Sequence, residues 1–359
     1  MGSIGSVLPI HASNDSSSGA TPTRLLILSV PRTASNLFAK VLNVANQPYL
    51  KTNPFTGYFF YPAFTSVAME NLAAKDPKDW PSEQRQKYID LCQQCLDNLE
   101  DMSQQAQAEN KVACAKEHVA WLIDPELFFL SKCDRTNMES LLRVQVPKEY
   151  GQSQTYTQPT FLPDEYLRTW QMAFTIRHPA LAYPSLYRAL KKAGEGGFVD
   201  EDGIRGASLS NMTLRWTRAM YDWCMHQPGM SAPLIIDAHD LIHTPEVMLK
   251  FCDQTGLDKA SLQFEWSKDG KKKSDHWAEI DKNNPELVEN HRRAASIMLS
   301  TLEASTGLMK DKTPAQVDIA AESAKWEDEF GKEFAELIET AVQNSMEDYE
   351  YLKARRLTV

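Results

Sequence analysis

A short apolar run, followed by a polar loop and then a helical pattern, constrains this chain more than any other feature. Residues 24–30 are mostly apolar, which is typical of a strand buried on both faces of a parallel sheet. Beyond the loop, apolar side chains recur at helical spacing at Leu37, Phe38, Val41 and Leu42. This unit predicts one α/β domain with a central, mainly parallel sheet, covered by helices, and a ligand at the carboxyl ends of the strands.

The loop carries hydrogen-bond donors that suit an anion. Its residues are Pro31, Arg32, Thr33, Ala34, Ser35 and Asn36. Backbone N–H groups at a helix N-terminus favour an anion, and the Arg32 guanidinium group fits phosphate or sulfate. The alternative is that Ser35 or Asn36 only caps the helix. Because the loop lacks the glycines and the lysine of the Gly-x-x-x-x-Gly-Lys-Ser/Thr pattern, an enzyme that hydrolyses ATP or GTP is disfavoured.

A second apolar run ends in three ionisable residues. Residues 112–115 predict a short strand, and Lys116, Glu117 and His118 follow it. If the strand continues, Lys116 and His118 project from one face, where an ammonium and an imidazole suit charge stabilisation and base catalysis. Glu117 then faces the other side and ranks second as a base. The alternative is a solvated lysine beside a histidine that is only hydrogen-bonded.

A third apolar run leads to another cation. Residues 172–176 predict a buried strand that ends at Arg177, and Pro179 fits the first turn of the helix that follows. Ser185 lies eight positions after Arg177, so the two side chains could grip one anion from two sides. A surface ion pair is the alternative for the arginine. We expect Pro184 to bend or restart the helix.

Composition limits the class of protein. The 359 residues include 38 basic and 48 acidic side chains, and the net charge of −10 argues against non-specific nucleic-acid binding. Six cysteines in so long a chain indicate a reducing compartment, so we expect a cytoplasmic protein. No apolar run approaches the roughly 18 residues that a transmembrane segment requires. The Ser- and Gly-rich residues 1–23 predict a disordered tail, in which Gly2 matches a myristoylation pattern that a polar tail can also match by chance.

Four segments, in this order, resemble motifs of the sulfotransferase family. Residues 29–36 are similar to the family's 5'-phosphosulfate loop, and residues 116–118 are similar to its Lys-x-His motif. Arg177 with Ser185 resembles the 3'-phosphate clamp, including its spacing, and residues 234–257 resemble a later strand with its Asp-Leu, Pro-Glu and Gly-Leu turns. Ser305-Thr306-Gly307 and the long helical tail resemble the fungal, small-molecule branch. The resemblance implies the P-loop-like fold of these enzymes.

The same resemblance implies a reaction and roles for residues. Members transfer a sulfuryl group from 3'-phosphoadenosine 5'-phosphosulfate (PAPS) to a hydroxyl or amine, here of a small molecule such as a secondary metabolite. It implies that His118 is the catalytic base and that Lys116 and Arg32 stabilise charge on the leaving oxygen, without a metal. The residues implied to bind the donor are Pro31, Arg32, Thr33, Ala34, Ser35, Asn36, Arg177 and Ser185.

The chain departs from the family pattern at three places. Ala34 stands where the loop usually carries glycine, and alanine is strained if that position needs a positive φ. Leu37 stands where many members have a tryptophan against the adenine. Residues 269–273, which include three consecutive lysines, are the nearest candidate for the family's C-terminal Gly-x-x-Gly-x-Lys element, or else a solvated loop.

The remaining segments support one domain over residues 24–359. Residues 49–111 and 134–171 are long connections that we expect to act as lids over the acceptor site. The aromatic residues of 48–70 either form a wall of that site or belong to the core. Residues 313–359 predict C-terminal helices, packed on the domain or pairing with a second subunit in a homodimer.

One pair of cysteines and one pair of histidines are better explained by packing than by metal binding. Cys92 and Cys95 fit one face of a helix, and no second cysteine pair stands at zinc-ligand spacing. His239 and His243 are four apart but lack further ligands. Two other functions stay open for the sequence: a related enzyme that uses the pocket for cyclisation or elimination, and a protein that binds a nucleotide or metabolite without turnover.

Overall fold

The computed structural model describes residues 24–73, 75–129, 142–151, 154–197, 199–267 and 285–359. The predicted tail over 1–23, with Gly2, lies outside the described residues. So do the basic run over 269–273 and two parts of the predicted second lid, residues 134–141 and 152–153.

Over the described ranges, five strands form one parallel sheet. Their order across the sheet is β2-β3-β1-β4-β5. The strands are β1 Arg24–Ser29, β2 Leu50–Lys51, β3 Val112–His118, β4 Gln171–Ile176 and β5 Leu234–Asp237. All four pairings are parallel, which confirms the predicted α/β class.

Helices connect the strands and cover both faces of the sheet. Their bounds are α1 Ser35–Val41, α2 Tyr61–Met69, α3 Ser82–Ala108, α4 Val119–Leu122, α5 Asp164–Leu167, α6 Pro179–Glu195, α7 Glu201–Asn211, α8 Arg215–Met225, α9 Ala238–His243, α10 Val247–Thr255, α11 Pro285–Glu303, α12 Ile319–Phe330 and α13 Lys332–Lys353. No described helix is both long and apolar enough to cross a membrane.

The central strand β1 is buried on both faces. Leu25 and Ile27 pack in a core layer with α1 and α10, whereas Leu26 and Leu28 pack in the larger layer of α3, α6, α8 and α13. Because alternate side chains of a strand point to opposite faces, a continuous apolar run is what such a position requires. Burying each leucine contributes about 1.5–3 kcal/mol of stability.

Aspartate side chains cap several helices at their N-termini. Asp200 accepts a hydrogen bond from the Gly203 N–H in α7, and Asp318 accepts one from the Ala321 N–H in α12. Asp237, the last residue of β5, accepts one from the His239 N–H and so turns the chain directly into α9. Such caps satisfy N–H groups that have no partner within the helix.

Helix α3 carries the two cysteines that resemble a redox or metal pair. Cys92 and Cys95 are buried in the larger core layer, and burial raises the pKa of the Cys95 thiol to about 12. A thiol held neutral in this way is neither a nucleophile nor a metal ligand. The helix therefore uses both side chains for packing.

Helix α6 does not restart at Pro184. The helix runs without interruption from Pro179 to Glu195, although Pro184 lies inside it. Its neighbours hold it on both sides of the proline: Tyr183 donates a hydrogen bond to Ser345 of α13 (2.7 Å), and Tyr187 packs against Phe330 of α12. Tertiary packing here outweighs the one hydrogen bond that the proline removes.

The polar loop between β1 and α1 has an unusual backbone. Arg32 has φ 70° and Ala34 has φ 65°, so two non-glycine residues occupy the left-handed region within three positions. The Thr33 hydroxyl donates to the Val30 carbonyl oxygen (2.7 Å) and lies 3.0 Å from the Thr175 hydroxyl of β4, which fixes the loop to the sheet. Position 34 therefore has the conformation in which alanine is strained.

We expect Ala34→Gly to raise the free energy of unfolding by up to about 1 kcal/mol. The left-handed region costs alanine about 1–2 kcal/mol, and the extra freedom of glycine in the unfolded chain offsets about 0.4–1 kcal/mol of the gain. The matched control is Ala39→Gly inside α1, which should lower stability by about 1 kcal/mol. Urea unfolding measures both variants, and a less stable Ala34→Gly protein would contradict the left-handed backbone at position 34.

Candidate functional site

The carboxyl ends of three neighbouring strands bring the sequence-predicted residues together. In the register of the sheet, Ser29 of β1 lies opposite His118 of β3 on one side and Thr175 of β4 on the other. The loop that follows β1 contains Arg32, and Arg177 directly follows β4. Parallel strands end at the same edge, so residues far apart in sequence meet there.

Lys116 is a buried cation at the N-terminal end of α1. Its side chain is 1% exposed, and its Nζ donates a hydrogen bond to Oδ1 of Asn36 (2.8 Å). The same Nζ lies 3.7 Å from the centroid of the Tyr58 ring. Burial lowers the pKa of Lys116 to about 7, although the Glu117 carboxyl group opposes this shift. The ammonium form thus depends on the few groups that contact it.

His118 presents one ring nitrogen to the site. Its Nδ1 lies 2.8 Å from the Ser29 hydroxyl, and that hydroxyl donates to the Glu117 carbonyl oxygen (3.2 Å). Because the single hydroxyl proton is used there, Nδ1–H is the donor to Ser29 and Nε2 carries the lone pair. Burial, followed by the charge of Lys116, lowers the pKa of His118 to about 3, so the ring is neutral. A neutral imidazole with a free Nε2 can accept a proton.

Glu117 faces the opposite side of β3. Its Oε1 accepts hydrogen bonds from the backbone N–H groups of Phe59 (2.5 Å) and Phe60 (3.1 Å), and the side chain is 0% exposed. Burial raises the pKa of this carboxyl group to about 8. The carboxyl group therefore holds the segment after β2 against the sheet and has no path to a ligand on the His118 side.

Arg32, Arg177 and Ser185 form one connected set. Nε of Arg32 donates to the Ser185 hydroxyl (3.0 Å), and Nη1 of Arg177 donates to the Arg32 carbonyl oxygen (3.2 Å). Both arginines also donate hydrogen bonds to main-chain carbonyl oxygens. Arg32 Nη1 donates to the Met298 carbonyl oxygen (2.6 Å), and Arg177 Nη2 donates to the Lys312 carbonyl oxygen (2.6 Å). The sequence analysis predicts that Ser185 and Arg177 grip one anion; in the structure, the Ser185 hydroxyl accepts its hydrogen bond from Arg32.

This set of two arginines suits an anion. Burial, followed by the charge of Arg32, lowers the pKa of Arg177 to about 10, and burial lowers that of Arg32 as well. The Nε atom of Arg177 is buried and has no hydrogen-bond partner within the described part of the chain. Two guanidinium groups that repel each other, with a donor to spare, favour a negatively charged ligand between them.

The aromatic residues that follow β2 divide into two groups. Phe59 and Phe60 are buried in the core, whereas Tyr58, Tyr61 and Phe64 are half-buried around Trp121. Their ring centroids lie 5.1, 5.6 and 4.8 Å from that of Trp121, and the His118 ring lies 4.6 Å from it. The stretch thus supplies both core and a wall of rings beside the imidazole, which are the two alternatives that the sequence left open.

Three residues make contacts in this site that were not predicted from the sequence. Ser29 orients His118, Trp121 joins the aromatic wall, and Tyr58 contacts both Lys116 and His118. Ser29 could have been found as the last residue of β1, opposite the end of β3. Trp121 follows His118 by three positions, which places it one helical turn away. No periodic signal marks Tyr58.

Leu37 and the histidine pair both have packing contacts. Leu37, which departs from the family pattern, packs with the core layer of α1 and α10. His239 and His243 stack with ring centroids 4.3 Å apart, and both contact the Thr313 carbonyl oxygen. Among the residues that the structure describes, no three His, Cys, Asp or Glu side chains cluster as metal ligands would.

Comparison with known proteins finds close relatives in two fungal species of one genus. The sulfotransferase ppzF of Metarhizium majus (strain ARSEF 297) is 31% identical over 355 residues, which cover 94% of this chain and 97% of that protein. The sulfotransferase ppzF of Metarhizium rileyi (strain RCEF 4871) is 31% identical over 354 residues, which cover 94% and 96%. No family model matches the chain.

A solved structure is also similar. It is the sulfotransferase domain of the Synechococcus PCC 7002 olefin synthase, with a TM-score of 0.37 and 15% identity, and the match covers 88% of this chain and 97% of that one.

We expect Glu117→Gln to flatten the pH dependence of stability. A carboxyl group whose pKa rises from 4.5 to about 8 on folding stabilises the fold fully below pH 4.5, and this stability is lost as the pH rises towards 8. Relative to the variant, the wild-type protein should therefore lose on the order of 1 kcal/mol per pH unit between pH 5 and 8. Urea unfolding across this range measures it.

The control is Glu109→Gln. The ammonium groups of Lys111 and Lys51 lower the pKa of Glu109 to about 2, so this carboxylate does not titrate between pH 5 and 8. Its variant should follow the wild-type curve in parallel. If Glu117→Gln does the same, the Glu117 carboxyl group is not protonated in the fold.

Proposed function

This chain belongs to the sulfotransferase family and is an enzyme that transfers sulfuryl groups, and we propose that its donor is PAPS and its acceptor a hydroxyl or amine of a small molecule. One observation carries the proposal: the hydrogen-bonded set of Arg32, Arg177 and Ser185 lies at the same sheet edge as Lys116 and His118. Cations suited to two anionic groups thus stand beside a neutral imidazole.

The donor supplies an activated sulfuryl group and a 3'-phosphate. Arg177, with its unpartnered Nε, and Ser185 fit the 3'-phosphate, while backbone N–H groups of the loop after Pro31, at the start of α1, fit the 5'-phosphosulfate. The positive φ of Arg32 and Ala34 gives this loop a backbone that resembles the nests that bind anions.

His118 is the proposed base. In the transfer, the acceptor oxygen forms a bond to sulfur while the bond between sulfur and the phosphate oxygen breaks, and Nε2 of His118 takes the acceptor proton. The Ser29 hydroxyl keeps the imidazole in the tautomer that this step needs. A bound anion beside the ring favours the imidazolium and raises its pKa from the value of about 3, which makes Nε2 a stronger base when both substrates are present.

Lys116 and Arg32 are the proposed charge stabilisers. As the leaving oxygen becomes negative, a fixed ammonium group in a buried position stabilises it more than one in water would, because less solvent screens the charge. Asn36 holds the Lys116 ammonium group at the start of α1, where the helix N-terminus adds to the positive potential. These cations carry the charge without a metal in our proposal.

The aromatic wall is the proposed acceptor site. Tyr58 and Trp121 contact the His118 ring, and the partly exposed Tyr61 and Phe64 rings pack on Trp121, so a flat acceptor would lie near Nε2. Tyr58, Tyr61 and Phe64 belong to residues 49–111, which form part of the proposed acceptor lids.

We expect His118→Ala to lower kcat by about 100- to 10,000-fold while the donor still binds. The variant removes the proton acceptor, and general base catalysis contributes an effect of that size. Transfer of radiolabelled sulfuryl groups from PAPS to a panel of phenols, alcohols and amines measures it, with calorimetry of 3'-phosphoadenosine 5'-phosphate (PAP) for binding.

The matched control is His226→Ala, since His226 is an exposed histidine at the end of α8. That variant should keep full activity. A fully active His118→Ala protein would disprove the base assignment.

Glu117→Gln serves better than Glu117→Ala as the test of the second-ranked base, because glutamine can still accept from the Phe59 and Phe60 N–H groups.

We expect Arg177→Ala to weaken PAP binding by about 10- to 100-fold. Each charge-assisted hydrogen bond contributes about 1.5–3 kcal/mol, and each 1.4 kcal/mol changes the Kd about tenfold. Arg188→Ala is the control, because Arg188 lies on α6 about one turn beyond Ser185 and pairs on the surface with Glu329. If the wild-type protein does not bind PAP, or if both variants bind it equally well, the donor assignment is wrong.

A further inference from the structure

We propose that Tyr58 is a positioning residue of the transfer: its ring holds the Lys116 ammonium group in place, and its hydroxyl contacts the His118 imidazole. The inference rests on the proposed function, since it acts through the two side chains that function uses. It adds a residue from the long connection after β2, which no motif marked.

In the described part of the chain, the Tyr58 ring and the Asn36 amide contact the Lys116 ammonium group from outside β3. The Nζ atom lies 3.7 Å from the ring centroid and 2.8 Å from Asn36 Oδ1. Because Lys116 is 1% exposed, water does not solvate this charge. An aromatic face attracts a desolvated cation more strongly than an exposed one. The ring therefore favours the protonated lysine against the burial that disfavours it.

The ionisable neighbours of Lys116 are uncharged near pH 7, which leaves the Tyr58 ring to favour the ammonium form. On its own strand, the carboxyl group of Glu117 and the thiol of Cys114 favour the ammonium form, but burial raises the pKa of both groups, which keeps them neutral near pH 7. The neighbouring His118 ring is neutral as well. From α1 comes the uncharged amide of Asn36, and from the connection after β2 comes Tyr58.

The hydroxyl of Tyr58 lies against the base. Burial raises the pKa of Tyr58, so the phenol keeps its own proton. That proton can point to Nε2 of His118, 3.4 Å away. The contact is long, so an acceptor hydroxyl can approach Nε2 with the phenol still beside it.

The backbone on both sides of Tyr58 is tied to the sheet. The Lys116 N–H donates to the Gly57 carbonyl oxygen (3.0 Å), and Gly57 has φ 111° and lies so close to β3 that a Cβ atom would collide with the Lys116 nitrogen. The Asn53 amide accepts from the Gly57 N–H (2.8 Å) and donates to the Tyr58 carbonyl oxygen (3.2 Å). On the other side, Phe59 donates to Glu117. Tyr58 is thus held by the strand that carries the two groups it contacts.

The ring and the hydroxyl can be separated by substitution. Tyr58→Phe keeps the ring over Lys116 and removes the hydroxyl, whereas Tyr58→Leu removes both and leaves the site apolar. We expect the loss of kcat/KM at alkaline pH, where Lys116 gives up its proton, to shift about one pH unit lower in Tyr58→Leu and to stay in place in Tyr58→Phe. Tyr58→Phe should instead lower kcat about three- to tenfold at every pH, because His118 loses a partner.

Two measurements test this. The first is the pH profile of kcat/KM with PAPS and the best acceptor. The second is NMR titration of 13C-labelled lysine side chains in the free protein, with the Lys116 signal assigned by Lys116→Arg. The titration needs neither donor nor turnover, so it reports on Tyr58 even if the proposed function fails. Thermal unfolding shows whether each variant is folded.

Matched controls use a tyrosine elsewhere. Tyr351 lies under the Arg218 and Arg355 guanidinium groups on the surface, at 4.2 and 3.5 Å from its ring centroid. Tyr351→Leu and Tyr351→Phe should change neither readout. Equal Lys116 titration curves for wild type and Tyr58→Leu, or an equal shift in Tyr58→Phe and Tyr58→Leu, would overturn the role of the ring. An unchanged kcat in Tyr58→Phe would overturn the role of the hydroxyl.

Discussion

A lysine ammonium group removed from water is the constraint on which the site depends. Taking such a charge out of water is costly unless partners replace the lost hydration. Lys116 obtains an amide oxygen from α1 and an aromatic face from the connection after β2. Each of these segments is in turn fixed to the sheet, the first through Thr33 and the second through Glu117. The buried cation therefore determines how the loop, the strand and the aromatic wall fit together.

The sequence predicted the fold because the sheet is parallel. Strands buried on both faces read as unbroken apolar runs, and three of the four longer strands were identified in this way from residues 24–30, 112–115 and 172–176; the fourth followed from the resemblance of residues 234–257 to a family motif. The grouping of Arg32, Lys116, His118 and Arg177 followed, because all four stand at carboxyl ends of neighbouring strands. The hydrogen bond between Arg32 and Ser185 was not predicted, since spacing along a helix does not say which side chain of another loop reaches it.

The course of the long connections could not be predicted from such patterns. The course of residues 52–60 is set by hydrogen bonds of Asn53 and Glu117 and by the close approach of Gly57 to β3, none of which leaves a periodic trace. This is why the contacts of Tyr58 and Trp121 with His118 were not predicted. The helix continues through Pro184 for the related reason that packing on α13 outweighs local preference. The cytoplasmic location, the homodimer and an acceptor from secondary metabolism stay predictions.

The two main-chain carbonyl oxygens that meet the arginines have an energetic consequence. Arg32 donates to Met298 and Arg177 donates to Lys312, so one C-terminal stretch occupies donors on both guanidinium groups. Any anion that uses these donors competes with the chain itself. Its apparent affinity is the intrinsic affinity multiplied by the fraction of molecules in which the stretch does not occupy the donors. The stability of the C-terminal stretch would therefore set part of the apparent affinity for an anion at these donors.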